Sequence, residues 1–269
     1  MTEEKALQRR NKKLAFFLPN IFTALNMGCG FVSILFSLQG EFYKAAMILI
    51  LGAIFDTVDG RVARITGTQS LFGEQFDSMS DLISFGMAPT IMIYQKFLPD
   101  MGRVGIVVSF IFLLCGALRL ARFNANIEKI PSSYFQGLPI PSGALAMVGL
   151  TLLSLDLPVV GDFEYVICLY VLFYAVLMVS NVPFNSFKDS VFVKKHKKAV
   201  LFFIFILAAL TLIHEQIMIF TVITTYVVGS LIYFSTHKDM MSQIFTWKEE
   251  PETKEEEESV QGESYDESH

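Results

Sequence analysis

Charged residues are scarce in this chain, and so are the residue types that organise disulfide-rich or zinc proteins. Of its 269 residues, 17% are charged and 53% are hydrophobic, and the mean hydropathy is +0.50. A soluble domain typically has about 25% charged residues. The three cysteines all lie in apolar runs, so we expect buried hydrophobic side chains rather than a disulfide set. No zinc-ligand spacing is present, and the four histidines share no motif. This composition favours a membrane protein.

The sequence also lacks the marks of secretion and of nucleic-acid binding. Its first apolar run is too long for the core of a signal peptide and has no A-x-A cleavage site, so we expect the amino terminus to be retained. The basic run Lys194–Lys198 has no stacking aromatic residues or binding module beside it. Nucleic acid is therefore not an expected partner, whereas attraction to anionic membrane lipid is.

Charge is distributed unevenly and divides the chain into three segments. Residues 1–14 are basic and predicted to be cytoplasmic, residues 15–238 form a transmembrane domain, and residues 239–269 form an acidic, disordered cytoplasmic tail. The net charge of −5 belongs to the tail, because residues 249–269 contain ten acidic residues and one lysine. The rest of the chain is net positive, which suits a protein lying against anionic lipid.

Long apolar runs are what the chain has in abundance. Runs of about 20 residues cross a bilayer as helices, since the backbone must satisfy its own hydrogen bonds in lipid. The sequence thus predicts an all-α integral membrane protein, a polytopic bundle of about eight transmembrane helices. The predicted spans are 15–38, 43–65, 75–97, 104–125, 142–160, 163–183, 198–213 and 217–235.

The positions of lysine and arginine predict the orientation of this bundle. With eight spans, one side of the membrane gathers 18 of the 21 Lys and Arg residues. Cytoplasmic segments carry this excess in multi-pass proteins. We therefore expect a multi-pass protein of the cell membrane with both termini in the cytoplasm. The loop between the second and third spans lies on the same side.

Four aspartates lie at the inner ends of the second and third predicted spans, namely Asp56, Asp59, Asp77 and Asp81. Spacings of three and four residues place each pair on one helical face, and a short loop lets the two faces converge. Carboxylates so close to a bilayer are costly unless they are paired or bound to a cation, and oxygen ligands suit Mg²⁺ or Mn²⁺. Alternatively, the aspartates pair with Arg61 and Arg64, and the nearby glycines only pack helices.

This segment resembles a known family signature. From Asp56 to Asp81 it matches the pattern D-x-x-D-G-x-x-A-R-x8-G-x3-D-x3-D, which is similar at every fixed position to that of the CDP-alcohol phosphotransferase family. The resemblance implies an integral-membrane enzyme that moves a phosphatidyl or related group from a CDP-linked donor to an alcohol and releases CMP. It also implies a homodimer.

The resemblance further implies roles for individual residues. The first three aspartates are expected to hold the metal, and Asp81 is expected to act as general base and to be able to contact the metal. Four positions match those that line the cytidine diphosphate pocket, namely Gly60, Ala63, Arg64 and Gly73. Ser70 lies where a loop hydroxyl would reach a phosphate of the donor.

A polar stripe opens the first predicted span and extends the expected donor site. Its members are Pro19, Asn20, Thr23 and Asn26, and all but Pro19 recur at approximately helical spacing in an apolar run. The stretch resembles the first-helix segment of the family that meets the CDP group. Hydrogen bonding between helices is the alternative explanation, at about 1 kcal/mol for each bond.

The acceptor alcohol must be predicted from a later part of the chain. Arg119 and Arg122 lie one turn apart in A-L-R-L-A-R-F-N, which ends at Asn124, and Gln136 follows in F-Q-G-L-P-I-P-S-G. Both blocks resemble the phosphatidylserine synthase branch of the family. An arginine pair with an asparagine suits the carboxylate of L-serine, although an arginine at a helix end also serves as a membrane anchor.

The resemblance therefore implies transfer of a phosphatidyl group from CDP-diacylglycerol to L-serine, dependent on Mg²⁺ or Mn²⁺. The same chemistry with glycerol 3-phosphate or inositol phosphate stays open, although a phosphorylated acceptor would call for extra basic side chains. A divalent-cation transporter is an alternative of another class. Against it, the aspartates gather at one membrane face, and no polar residues continue to the other. A nonenzymatic scaffold would leave the four carboxylates unexplained.

Overall fold

The computed structural model describes residues 3–125, 134–185, 210 and 213–236. Within these residues the chain forms eight α-helices. They are α1 (Glu3–Leu38), α2 (Phe42–Thr66), α3 (Leu71–Asp81), α4 (Ala88–Phe97), α5 (Arg103–Ala125), α6 (Ile140–Asp156), α7 (Glu164–Val179) and α8 (Glu215–Thr236). A π-helical turn at Leu82–Met87 joins α3 to α4, and a 3₁₀ turn at Pro158–Asp162 precedes α7.

The helical class predicted from the sequence is confirmed. Seven of the eight predicted spans coincide with helical runs, and α3, the π-helical turn and α4 together make the third. Among the described residues, three segments are long and apolar enough to cross a membrane, namely Phe17–Leu38, Arg103–Ala125 and Glu215–Thr236. The seventh predicted span (198–213), the basic run at 194–198 and the tail at 239–269 lie outside the described residues, apart from positions 210 and 213. Eight crossings and a cytoplasmic site stay predictions.

Two short strands add to the helices in the described part of the chain. β1 (Tyr134–Gln136) pairs antiparallel with β2 (Pro183–Asn185), and Phe135 lies opposite Phe184. The pair joins the segment before α6 to the segment after α7. This pair is not predicted from the sequence, because three residues are too few for a recognisable alternating pattern.

The core lies around α6, and the outer faces of the bundle are apolar. Residues Ala144, Ala146, Met147 and Val148 of α6 are fully buried. Large apolar side chains such as Leu169 of α7 are exposed instead. Exposed apolar surface over whole helices suits contact with hydrocarbon, in agreement with a membrane protein.

The turn between α2 and α3 is defined by two end caps. Gly67 takes a left-handed conformation (φ 63°) after α2, which favours glycine, and its N–H donates to the carbonyl oxygen of Ala63. Ser70 then caps α3, because its Oγ accepts the N–H of Gly73 at 3.1 Å. Only Thr68 and Gln69 separate these two caps, so α3 begins close to where α2 ends.

Candidate active site

Three of the four predicted metal ligands converge between α2 and α3. Carboxylate oxygens of Asp56, Asp59 and Asp77 all lie within 4.8 Å of one another. In the described part of the chain, neither Arg61 nor Arg64 comes within 4.0 Å of a carboxylate oxygen, so the aspartates are not neutralised by these arginines. Clustered carboxylates repel one another unless a cation is present. The oxygen-only set therefore fits a hard divalent cation such as Mg²⁺ or Mn²⁺.

Two carboxylate oxygens at this cluster are buried and lack a hydrogen-bond partner among the described residues. They are Oδ1 of Asp77 and Oδ1 of Asp81. A buried polar atom left in this state costs about 1–3 kcal/mol, so both atoms fit a site that gains a ligand. Asp81 lies outside the group of three but beside the Asp56 carboxyl group. It is also the last residue of α3, directly before the π-helical turn.

Helix α1 supports the cluster through its polar stripe. The hydroxyl of Thr23 lies 2.9 Å from Oδ2 of Asp59 and donates to it. In return, Ser80 of α3 donates to the carbonyl oxygen of Thr23 at 3.0 Å, and Ser84 in the π-helical turn donates to that of Asn26 at 2.9 Å. These bonds fix the helix that carries Asp77 against α1.

A cavity of about 380 Å³ opens beside the cluster. Its lining includes two of the clustered aspartates, Asp59 and Asp77, together with Asn124. It also includes eight of the nine residues predicted to bind CDP-diacylglycerol, namely Pro19, Asn20, Thr23, Gly60, Ala63, Arg64, Ser70 and Gly73. A Cβ atom built at Gly60 would meet no atom within 4 Å, so the space beside this glycine is open.

Asn26 is the exception among the predicted donor residues. It does not line the cavity, and its side chain is fully buried between helices. A Cβ atom at Gly52 of α2 would lie 3.1 Å from Oδ1 of Asn26, which shows how closely the two helices approach there. The structure thus places Asn26 in helix packing one turn beyond Thr23, outside the cavity lining, and its contact with the donor stays a prediction.

The residues predicted to bind serine are split between two places. Asn124 lines the cavity and exchanges hydrogen bonds with Ser78 of α3, since its Nδ2 donates to Ser78 Oγ at 2.9 Å. Arg119 is buried one turn earlier on α5, its Nε has no partner among the described residues, and its charge acts on the Asp81 carboxyl group. Both are therefore close to the site.

Arg122 and Gln136 do not line the cavity. The guanidinium group of Arg122 donates to carbonyl oxygens at the end of α7 and to that of Gln136. The Gln136 side chain donates to Oδ1 of Asn181 at 2.9 Å. The prediction grouped these residues with Arg119 and Asn124 by nearness in sequence, but helical rotation and the strand pair direct them elsewhere.

Five cavity residues were not predicted, namely Thr68, Gln69, Glu74, Ser78 and Phe123. Ser78 could have been predicted from the sequence. It follows Asp77 in D-S-M-S-D, and an interior polar residue in a membrane helix needs a partner. The other four lie in the turn, in the first turn of α3 or next to Asn124, and their side-chain types carry no specific signal.

The geometry agrees with comparison to known sequences. The sequence model of the CDP-alcohol phosphatidyltransferase family matches residues 16–180, which include every residue of the cavity. The chain belongs to this family. It is accordingly a phosphotransferase enzyme, and the signature recognised between Asp56 and Asp81 is confirmed as a family signature.

Several characterised relatives share most of the chain. It is 38% identical over 174 residues to the CDP-diacylglycerol–serine O-phosphatidyltransferase of Helicobacter pylori, covering 64% of this chain and 73% of the relative. It is 33% identical over 216 residues to the enzyme of the same name from Mycobacterium leprae, covering 78% and 71%. Archaetidylserine synthase of Methanothermobacter thermautotrophicus is 41% identical over 141 residues, covering 51% and 59%.

Proposed function

We propose that this enzyme transfers the phosphatidyl group of CDP-diacylglycerol to the hydroxyl of L-serine, giving phosphatidylserine and CMP. The observation that carries the proposal is the convergence of three aspartates at a cavity lined by eight of the nine predicted donor residues. The names of the relatives support serine as the acceptor. Transfer to glycerol 3-phosphate or inositol phosphate remains the alternative within the same chemistry.

The donor diphosphate binds between α1 and α2. Arg64 on the cavity wall presents a guanidinium group to the phosphate oxygens, and Gly60 and Ala63 leave space for a flat group such as the cytosine base. Thr23 holds Asp59 in place through its 2.9 Å hydrogen bond. A divalent cation, Mg²⁺ or Mn²⁺, held by Asp56, Asp59 and Asp77 would neutralise charge on the diphosphate and on the departing CMP.

The acceptor approaches from the side of α5. Asn124 faces the cavity, and the positive charge of Arg119 lies deeper beside Asp81, so the two residues suit the carboxylate of serine. Asp81 takes the proton of the serine hydroxyl as that oxygen attacks the phosphorus bearing diacylglycerol. The bond from this phosphorus to the CMP oxygen breaks in the same in-line step, so no phosphoenzyme forms.

The enzyme works as a multi-pass membrane protein with its site facing the cytoplasm. The three apolar helices and the lysine and arginine excess on one side support this orientation. Gln69→Cys in a variant without the three native cysteines tests it. An impermeant thiol reagent should label this residue in inside-out vesicles but not in intact cells, because the turn lies on the cytoplasmic side. Homodimer formation rests on the family resemblance alone.

The decisive experiment supplies purified protein with CDP-diacylglycerol, radiolabelled serine and Mg²⁺ or Mn²⁺. We expect lipid-soluble label and CMP in equal amounts. Asp81→Asn should lose nearly all turnover yet keep donor binding, because the amide cannot accept the proton. Asp100→Asn is the control, at an exposed carboxylate outside the cavity with no role in the proton transfer.

Two results would contradict the proposal. CMP release that depends on glycerol 3-phosphate or inositol phosphate but not on serine would show that the acceptor is one of these phosphorylated alcohols. Cation flux into proteoliposomes without any CMP release would favour the transporter instead.

A further inference from the structure

Arg122 makes more polar contacts than its position at a helix end requires. Its Nη1 donates to the carbonyl oxygen of Val179 at 2.9 Å and to Oδ1 of Asn181 at 3.2 Å. Its Nη2 donates to the carbonyl oxygens of Gln136, Met178 and Ser180 at 3.0–3.2 Å. The four N–H groups on these two nitrogens are thus shared among five acceptors.

These contacts complete the end of α7. The last carbonyl groups of a helix lack partners within the helix. The carbonyl of Leu177 accepts the N–H of Leu138 at 3.0 Å, and the next two, of Met178 and Val179, accept from Arg122. A cation at this position is also favoured by the helix dipole. Arg122 therefore takes the place of a terminal cap for α7.

Gly137 allows the strand segment to pass close to this guanidinium group. Its φ is 75°, and a Cβ atom there would lie 2.8 Å from Nη2 of Arg122 and 2.9 Å from the carbonyl oxygen of Ser180. Its own N–H donates to the carbonyl oxygen of Val182 at 2.9 Å. No side chain fits at this position without displacing the arginine or the end of α7.

The same end of α5 forms part of the cavity wall. Asn124 lies two residues after Arg122 and holds Ser78 of α3, and Arg119 lies one turn before it, beside Asp81. A fixed Arg122 therefore fixes α5 at the level where the acceptor is expected to bind.

We propose that Arg122 is a positioning residue rather than a ligand for serine, and that Arg122 with Gly137 forms a latch that sets α5 against α7. The proposal rests on the proposed function only in naming the acceptor whose positioning depends on the latch. A serine carboxylate would have to draw Arg122 away from carbonyl groups that would then lose their partners.

The test compares Arg122→Gln and Gly137→Ala, which break the latch from opposite sides. Both should lower kcat about 10-fold to 100-fold, the range for a reacting group displaced by about 1 Å. The KM for serine should stay within about twofold of the wild-type value. Arg122→Lys should not rescue kcat, because an ammonium group lacks the planar fork of donors. Arg103→Gln, at the other end of α5, is the control and should match the wild type.

A second measurement tests the latch independently of enzyme activity. Hydrogen exchange at the amides of Gly137 and Leu138 should be at least about 10-fold faster in Arg122→Gln than in the wild type. If that variant fails to fold, Asn181→Ala removes only the side-chain acceptor and should give a smaller change in the same direction. Because this readout needs no substrate, it stays decisive even if the enzyme uses an alcohol other than serine.

The opposite pattern would overturn the proposal. A ligand role predicts a KM for serine raised 10-fold or more in Arg122→Gln with kcat unchanged. It also predicts partial rescue by Arg122→Lys, wild-type kinetics for Gly137→Ala and unchanged amide exchange.

Discussion

The two sides of the cavity are built in different ways. The donor wall comprises the eight cavity residues on α1, α2 and the start of α3 that were predicted to bind CDP-diacylglycerol, and the acceptor wall comprises Ser78, Phe123 and Asn124. On the donor wall, consecutive helices joined by short turns bring the residues together. On the acceptor wall, the pair Ser78–Asn124 joins positions 46 residues apart, and the supporting bond from Arg122 to Val179 spans 57.

This difference assigns the transfer reaction to one part of the molecule and the choice of acceptor to another. The donor wall and the aspartates lie on consecutive helices, and the spacing of these residues along the chain sets their arrangement. The same segment can therefore bind the donor whichever alcohol is the acceptor. The acceptor wall depends on α5, α7 and the strand pair, which can change without disturbing the aspartates. The donor wall should therefore govern the affinity for CDP-diacylglycerol with any acceptor. On the acceptor wall, Ser78 and Asn124 should govern the affinity for serine, and the Arg122 latch should govern its alignment for attack.

The largest effect is expected at the boundary of the two walls. Asp77→Asn removes one charge from the three carboxylates within 4.8 Å of one another and should lower kcat about 100-fold to 1,000-fold, the loss typical of one preorganised electrostatic group. Isothermal titration with Mn²⁺ and CDP should show weakened binding as well. Asp100→Asn, at an exposed carboxylate outside the cavity lining, should change neither value by more than about twofold. Equal losses in both variants would mean that net charge alone matters.

The residues of the donor wall could be predicted because they are close together in the sequence and follow the spacing of a helix. Asp56 and Asp59 share a helical face by spacing alone, and the caps Gly67 and Ser70 fix how the next helix begins. Thr23 was predicted on α1 from the same periodicity. Asn26 shows the limit of that method, since one further turn along the stripe carries a side chain out of the cavity into a helix interface.

The acceptor wall could be predicted only in part because its contacts are long-range. Arg122 and Asn124 are two residues apart, and a rotation of about 200° on a helix sends their side chains to opposite sides. No periodicity reveals that three-residue strands will meet across 45 residues or more, as Gln136 and Pro183 do. The π-helical turn after Asp81 was also missed, because its sequence L-I-S-F-G-M reads as ordinary apolar helix.

An intermediate effect is expected from filling the donor wall. Gly60→Leu puts a side chain into cavity space that is otherwise open, so CDP-diacylglycerol must overcome an overlap worth about 1–3 kcal/mol. The KM for the donor should rise at least about fivefold, while the KM for serine should not change. Gly28→Leu on α1 is the control, since that position is also open but lies outside the cavity lining. An increase confined to the KM for serine would show that the walls have been assigned the wrong way round.

The smallest effects are expected at two serines of α3. Each serine makes one hydrogen bond to one of the two walls, so each variant should test a single wall. Ser80 donates to α1 on the donor side, and Ser78 pairs with Asn124 on the acceptor side. One such hydrogen bond is worth about 1 kcal/mol, or roughly fivefold. Ser80→Ala should raise the KM for CDP-diacylglycerol by that factor, and Ser78→Ala should raise the KM for serine.

A matched control for both variants is Ser33→Ala, which removes a similar buried bond, 2.9 Å from Ser33 Oγ to the carbonyl oxygen of Ala45, away from the cavity. It should lower thermal stability without changing either KM. If Ser78→Ala and Ser80→Ala instead raise both KM values equally, α3 moves as one body, and the two walls are not independent. If Ser80→Ala raises only the KM for CDP-diacylglycerol and Ser78→Ala only the KM for serine, the two walls are independent. The two faces of α3 are then held separately, because they contact different helices.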